Sequence, residues 1–214
     1  MESAFRDHIP NGTRLIETFA WVPDASIARL ELHLRRLSKS ARSFGYRYDP
    51  AAVGAAINAL EADHPLRCRL TLDADGEVEI TTAPLPRSSD HWVLKLSPTR
   101  LSSADPFLPH KSTQRAIYDQ TRANMPEGAD EVIFLNERRE LCEGTITNIL
   151  LRVGANWLTP PVSSGCLPGV FRQSLLEAGQ VKESVLTLAD LSSADEIAVC
   201  NTLRGQIAAT VRFE

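Results

Sequence analysis

The stretch Glu140–Leu150 (ELCEGTITNIL) constrains this chain more than any other. An apolar, strand-like run at residues 131–135 leads into a turn at 136–139, and a second apolar run follows at 149–153. Between the two runs, Glu143 stands beside a glycine and a cluster of small hydroxyl and amide residues. A carboxylate set between two buried strands needs a hydrogen-bonding or charged partner. Taken alone, however, the stretch would more simply be a hairpin turn with a solvated glutamate.

Composition and charge argue against several classes of function. The chain has 214 residues, enough for one large hydrophobic core or two small ones. Its net charge of -4 gives no electrostatic reason to expect a nucleic acid partner, and no stretch is apolar and long enough to span a membrane. The N-terminus shows no basic region followed by an apolar core, so we expect a cytoplasmic protein. The cysteines are far apart and the histidines show no ligand spacing, so we expect no metal site.

The first part of the sequence predicts a strand, a helix and an antiparallel hairpin. Residues 15–21 have the composition of a strand. Apolar residues then recur at steps of three and four across residues 27–44, which predicts an amphipathic helix. Residues 67–72 and 77–82 alternate around a turn and therefore predict a hairpin. Residues 92–96 are predicted to add a third strand to the same sheet.

Residues 97–109 break this pattern and predict a linker, because they contain three prolines and several serines. We therefore expect a small N-terminal α/β domain at residues 1–96 and a larger domain at residues 110–214. The larger domain is predicted to contain, in order, a helix at 112–124, two strands around Glu143, a short strand at 157–159, a helix from Pro168 to about Ala178, a strand at 181–186, a helical turn at 188–194 and a buried strand at 196–200.

Three motifs, taken together in their order, resemble those of the class IV aminotransferases, the pyridoxal-phosphate enzymes of fold type IV. The motifs are PHKSTQ at 109–114, EGTITN at 143–148 and SGCLPGVFR at 164–172. The resemblance covers nearly the whole chain, and the three motifs together are much more specific than any one of them. It implies an α/β fold of two domains with pyridoxal 5'-phosphate bound between them.

The resemblance implies catalytic roles for Lys111 and Glu143. Lys111 would hold the cofactor covalently and later act as base and acid on the substrate carbon. A lysine is a nucleophile only when its amine is partly neutral, and without the motifs Lys111 would be taken for a surface residue. Glu143 would keep the pyridine nitrogen of the cofactor protonated, so that the ring accepts electrons.

The resemblance also implies a phosphate-binding site. Arg36 matches the family's H-x-x-R-L pattern, with Arg35 as a solvated neighbour, and a guanidinium offers a phosphate a planar fork of donors. Val170 and Phe171 follow a glycine at a predicted helix N-terminus, where backbone amides and the helix dipole favour an anion. Thr202 matches the position of a hydroxyl that contacts the phosphate.

Three stretches favour one branch of the family. Residues 15–21, 110–113 and 200–205 resemble aminodeoxychorismate lyases more than branched-chain or D-amino-acid transaminases. The implied reaction gives 4-aminobenzoate and pyruvate for folate synthesis, with a functional link to aminodeoxychorismate synthase. A branched-chain or D-amino-acid transaminase would share every cofactor contact and is the alternative. A non-catalytic protein of the same fold is a third interpretation, although such a protein would not need Lys111.

The chain departs from the family pattern at Tyr118, which lies further beyond the lysine than the family's tyrosine, so the sequence assigns it no role. The candidates for binding the substrate carboxylates are Arg204 and the backbone amides near Thr202 and Leu203. The fold type IV enzymes that resemble this chain build their active sites beside a dimer interface, and this resemblance implies a homodimer.

Overall fold

The computed structural model describes residues 5–87 and 89–213, which divide into two compact units. The first unit comprises residues 5–87 and 110–114, and the second comprises residues 89–109 and 115–213. Each unit combines α-helices with β-strands, so the predicted α/β class is confirmed. No helix in these ranges is long and apolar enough to cross a bilayer.

The first unit is built on an antiparallel sheet of three strands, in the order β1 (Leu15–Trp21), β2 (Leu66–Leu72) and β3 (Val78–Pro84). The predicted hairpin of β2 and β3 is confirmed. Apolar and polar residues alternate along β2, and only the apolar set is fully buried. Because successive side chains of a strand point to opposite faces, the sheet has one apolar face and one polar face.

Helix α1 (Leu30–Phe44) lies beside β1 in this unit, and helix α2 (Pro50–Asn58) lies beside β3. Helix α1 ends at Gly45, whose φ of 72° is the left-handed conformation that glycine adopts without strain. Helix α2 starts where the side chain of Asp49 accepts a hydrogen bond from the backbone of Ala51 at 2.8 Å.

Residues 110–114, here called the lysine segment, form a further edge of the first sheet. The backbone N–H of Ile16 donates to the carbonyl of Lys111 at 2.8 Å, and that of Thr113 donates to the carbonyl of Arg14 at 2.9 Å. The prediction of a helix from residue 112 was wrong at its start, since these backbone groups are committed to β1. Helix α3 (Ala116–Ala123) begins only after the segment.

The second unit contains an eight-stranded sheet in the order β10-β11-β4-β5-β6-β7-β8-β9. An additional pairing of β10 with β7 closes six of these strands into a ring around an apolar cluster that includes Leu94, Ile133 and Val199. The strands are β4 (His91–Leu101), β5 (Glu131–Asn136), β6 (Leu141–Gly144), β7 (Asn148–Val153), β8 (Asn156–Thr159), β9 (Val181–Glu183), β10 (Glu196–Asn201) and β11 (Gly205–Val211). This unit also contains α4 (Val170–Glu177) and α5 (Leu188–Ser193), both near their predicted positions.

Strand β4 differs from the prediction in its length and in its partners. It pairs in parallel with β11 and β5 of the large sheet, so the expectation that it joins the hairpin was wrong. It also continues to Leu101, through residues that the sequence assigned to a linker. Pro98 lies where the register with β5 shifts between Leu96 and Arg100, and such irregularities tolerate proline inside a sheet.

Candidate active site

Lys111 lies beside β1, on the polar face of the first sheet. Ser112 forms an antiparallel bridge with Leu15, which places Lys111 opposite Ile16. Opposite residues of antiparallel strands project to the same face, so Lys111 shares the face of Ile16. The lysine is partly buried.

His110 lies on the other face of the lysine segment, against α1. Its Nδ1 lies 2.9 Å from the hydroxyl of Ser40, and its ring centroid lies 5.0 Å from that of Phe44. Burial, followed by the nearby positive charge of Lys39, lowers the pKa of His110 to about 4. At neutral pH His110 is therefore an uncharged side chain that anchors the segment to the helix.

Arg36, the predicted phosphate ligand, is held by a carboxylate on β1. Its Nε and Nη2 donate to Oε1 and Oε2 of Glu17 at 2.8 and 2.7 Å, and Nδ1 of His33 lies 2.5 Å from Oε2 of Glu17. Burial acts to raise the pKa of Glu17, but the charge of Arg36 and the hydrogen bonds from His33 and Arg36 outweigh it and hold the pKa at about 2. The guanidinium is thus fixed in orientation by a partner that is ionised at neutral pH.

Two arginines share the sheet face that carries Lys111. In the register of β1 and β2, Arg69 lies opposite Thr18 and Arg67 lies opposite Ala20, and both arginines are partly buried. Within the described residues, the buried Nε atom of Arg67 has no hydrogen-bond partner. This face therefore combines a lysine with two guanidinium groups, which suits a substrate with more than one negative charge.

Glu143 lies on β6 in the second unit and is only 6% exposed. Its Oε1 accepts a hydrogen bond from the hydroxyl of Tyr118 at 2.7 Å. Its Oε2 accepts one from the backbone N–H of Leu167 at 3.0 Å. The interpretation of Glu143 as a solvated turn residue is therefore wrong, since both carboxylate oxygens have buried partners.

A second buried carboxylate, Glu131 on β5, shapes the turn that follows Glu143. Its oxygens accept hydrogen bonds from the hydroxyls of Thr145 and Thr147 at 2.5 and 3.0 Å, and from the backbone N–H of Ile146 at 3.1 Å. A Cβ atom at Gly144 would collide with the Thr147 hydroxyl and would lie 2.8 Å from this carboxylate. The small residues of the EGTITN motif are thus those that fit around Glu131.

Asn148 joins the parts of the second unit that carry the motifs. It pairs with Glu143 across β6 and β7 and with Cys200 across β7 and β10. Its Nδ2 donates to the carbonyl of Leu167 at 2.9 Å, and its Oδ1 lies so close to Gly169 that a Cβ atom there would collide with it. One buried amide therefore positions the chain that leads into α4.

Helix α4 begins at Val170, directly after Gly169. The first N–H groups of an α-helix have no acceptor within the helix, so the backbone amides of Val170 and Phe171 can donate to an anion. Val170 is buried, and the ring of Phe171 lies against Gly205, the first residue of β11 after the turn that follows β10.

Thr202 lies in that turn, which Asn201 stabilises. Oδ1 of Asn201 accepts hydrogen bonds from the backbone N–H groups of Leu203 and Arg204 at 3.1 and 3.0 Å. Its Nδ2 donates to the carbonyl of Ile146 at 3.3 Å. The structure thus brings the Thr202 turn and the turn after Glu143 together within the second unit, whereas Lys111 and Arg36 are neighbours of β1 in the first.

The motifs do not include several residues that support the candidate site. The second unit contributes Glu131, Asn148 and Tyr118, and the first contributes Glu17 and the pair Arg67 and Arg69. A usable signal existed for the arginines, because they occupy alternate positions between the apolar residues of β2. Arg204 is placed over the Trp92 ring, with its guanidinium carbon 5.4 Å from the ring centroid.

Known proteins resemble this chain in both sequence and fold. A Schizosaccharomyces pombe protein provisionally named aminodeoxychorismate lyase is 26% identical over 203 residues, which are 90% of this chain and 87% of that protein. The crystal structure of a Mesorhizobium loti protein, provisionally named an amino-acid aminotransferase, superposes with a TM-score of 0.89 at 37% identity and covers 94% of this chain and 100% of that one.

The 4-amino-4-deoxychorismate lyase of Pseudomonas aeruginosa has the same fold, with a TM-score of 0.81 at 24% identity over 94% of this chain and 83% of that one. The sequence profile of the family described as amino-transferase class IV matches residues 14–210. This chain therefore belongs to the class IV aminotransferases, a family of pyridoxal-phosphate-dependent enzymes with the fold type IV architecture.

Proposed function

We propose that this chain is a pyridoxal-phosphate-dependent 4-amino-4-deoxychorismate lyase that releases 4-aminobenzoate and pyruvate. The observation that carries the proposal is the polar face of the first sheet, where Lys111 shares a surface with Arg67 and Arg69. Aminodeoxychorismate carries two carboxylates, and paired guanidinium groups are suited to bind them.

The residues present fit the cofactor. Gly169, which tolerates no side chain, opens a helix whose first amides can hold a phosphate. Thr202, in the same unit, adds a hydroxyl. In the first unit, Arg36 is fixed on Glu17, and the resemblance assigns its guanidinium to the phosphate. Glu143 supplies a buried carboxylate for the ring nitrogen, and Lys111 supplies the amine.

When bound, the cofactor supplies an aldehyde that takes up amines and a ring that accepts electrons. Lys111 would remove the proton from the amine-bearing carbon of the substrate, and Glu143 would hold the proton of the ring nitrogen. Arg67 and Arg69 would orient the substrate through its carboxylates, so that loss of the enolpyruvyl group makes the substrate ring aromatic.

The rival function is amino transfer, which the name of the Mesorhizobium loti protein supports. A transaminase needs an oxo acid as second substrate, whereas a lyase does not. The test supplies purified protein with aminodeoxychorismate made in place by a synthase, and follows 4-aminobenzoate fluorescence without added oxo acid. We expect product with the wild type and none with Lys111→Ala.

The transaminase alternative is tested by supplying amino acids as substrates. Branched-chain and D-amino acids are expected to convert the cofactor to its aminated form slowly or not at all. Rapid conversion by one of them, together with no 4-aminobenzoate, would refute the lyase and establish the transaminase.

We further propose that the enzyme is a cytoplasmic homodimer that receives its substrate from an aminodeoxychorismate synthase. The dimer follows from the resemblance to enzymes whose active sites lie beside a dimer interface. Light scattering at working concentration tests it, and an active monomer would contradict it.

A further inference from the structure

Tyr118, to which the sequence assigned no role, makes a direct contact with Glu143. The phenol is on α3 and is 8% exposed, and its hydroxyl lies 2.7 Å from Oε1 of Glu143. Its ring packs edge-on against Phe134, with centroids 5.4 Å apart. A phenol held on one side by an aromatic ring and on the other by a carboxylate has little freedom to turn away.

The contact has a defined direction. Burial, followed by the negative charge of Glu143, raises the pKa of Tyr118 far above its usual range. The phenol therefore stays protonated at neutral pH, and its O–H donates a hydrogen bond to the carboxylate. The Leu167 amide donates to the other oxygen at 3.0 Å, so both oxygens of Glu143 accept a hydrogen bond.

The other titratable groups beside this pair do not compete for the proton. Burial raises the pKa of the Cys142 thiol, and burial raises that of Cys166 to about 12, so both thiols are neutral at physiological pH. The Arg115 guanidinium carbon lies 5.6 Å from the centroid of the Tyr118 ring, and this guanidinium pairs with Asp119 at 2.8 Å. Tyr118 and the Leu167 amide both donate directly to Glu143.

We propose that Tyr118 is a positioning residue that fixes Glu143 as an anion, so that the proton shared with a bound pyridine ring resides on the ring nitrogen. The inference rests on the proposed cofactor. Hydrogen bonds to an ionised carboxylate stabilise that form over the protonated acid. Without the phenol, the buried carboxylate holds the shared proton more strongly, and the ring becomes a weaker electron acceptor.

The test is the ring-nitrogen signal of ¹⁵N-labelled pyridoxal phosphate bound to the wild type and to Tyr118→Phe, measured at neutral pH by NMR. Free cofactor in its protonated and unprotonated forms gives the two reference shifts. In Tyr118→Phe, we expect the ratio of protonated to unprotonated nitrogen to fall by about tenfold, the change that corresponds to one pKa unit. Turnover is expected to fall with it, whereas KM stays within about twofold because Tyr118 makes no proposed substrate contact.

Tyr46→Phe is the matched control, because this hydroxyl also donates to an oxygen at 2.7 Å, but the oxygen is the backbone carbonyl of Thr13. Its ring-nitrogen signal should equal that of the wild type. An unchanged signal in Tyr118→Phe, with the fold intact by thermal melting, would overturn the role of Tyr118. Failure of the wild type to bind the cofactor would instead refute the proposed function, so the two failures are distinct.

Discussion

Arg36 and Glu17 form a two-point ion pair, with Nε to Oε1 at 2.8 Å and Nη2 to Oε2 at 2.7 Å. Both side chains are largely buried, with exposed fractions of 10% and 2%. Removing one member of a buried pair leaves an uncompensated charge, which costs more than the pair itself contributes. The predicted phosphate ligand is therefore part of the folding core as well as of the candidate site.

We predict that this pair makes the protein sensitive to acid. The pKa of Glu17 is held at about 2 against a usual 4.5, so its contribution to stability is present above about pH 4.5 and is lost as the pH falls towards 2. At about 1.4 kcal/mol per pH unit, the loss is about 3 kcal/mol. Urea unfolding between pH 5 and pH 2 measures it.

Glu17→Gln should flatten this acid dependence. Glu79→Gln is the control, since Glu79 pairs with Arg14 at 3.1 Å on the surface with 59% of its side chain exposed. Exposed pairs contribute little, so this variant should keep the wild-type acid dependence. Equal behaviour of the two variants would contradict the prediction.

Arg36→Ala should weaken the binding of pyridoxal phosphate by about 1.5–3 kcal/mol, the usual contribution of a hydrogen bond to a charged group. Arg35→Ala should weaken cofactor binding much less, because the family pattern assigns the phosphate contact to Arg36 and not to Arg35. Equilibrium dialysis measures both affinities, with thermal melting to confirm folding. If the two variants lost equal affinity, the placement of the phosphate arginine would be wrong.

Lys111→Ala should abolish turnover while leaving the fold intact, because the segment is held to β1 through its backbone. Borohydride reduction of the wild-type protein with its cofactor, followed by peptide mass spectrometry, should find the adduct on Lys111. An adduct on Lys39, Lys95 or Lys182 would refute the assignment.

Gly169→Ala should destabilise the second unit by about 1–3 kcal/mol, the usual cost of overpacking. The cause is steric, since φ of Gly169 is an ordinary -62° while a Cβ atom there would collide with Oδ1 of Asn148. Gly54→Ala is the matched control in α2, where a Cβ atom would have no neighbour within 4 Å. That change should stabilise by about 0.5–1 kcal/mol. Chemical denaturation of both variants checks the opposite signs.

Arg67→Gln and Arg69→Gln should each raise KM for aminodeoxychorismate by about tenfold or more, since a hydrogen bond to a charged group contributes about 1.5–3 kcal/mol. Turnover at saturation should change less if the arginines act mainly in binding. Steady-state kinetics separates the two constants. Arg47→Gln is the control, because Arg47 lies outside the three strands of the first sheet. An unchanged KM in both test variants would remove the observation that carries the lyase proposal.

Much of the fold followed from local patterns. The alternation of β2 and β3 and the helical spacing of α1 gave elements that the structure confirms, with α1 beginning at Leu30. The pairing of strands that are far apart in the sequence could not be predicted, because alternation identifies a strand but not the strand beside it. Strand β4 looked like a third strand of the hairpin, yet it pairs with β5 and β11.

The candidate site was predicted where a motif places a functional group directly. Residues that position the functional side chains were not marked by any motif. Glu131 lies within an apolar run, and only the fold shows that Thr145, Thr147 and Ile146 donate to it. The same holds for Tyr118, whose partner Glu143 is 25 residues away in the sequence.

The lysine segment has a consequence for synthesis of the protein on the ribosome. Its backbone completes an edge of the first unit, yet it is translated only after residues 89–109 of the second. The first unit therefore cannot gain this edge until residue 114 has left the exit tunnel. Each unit is encoded by two separate segments of the gene. Expressing one unit alone would therefore require joining its two coding segments, because a single truncation would not produce it.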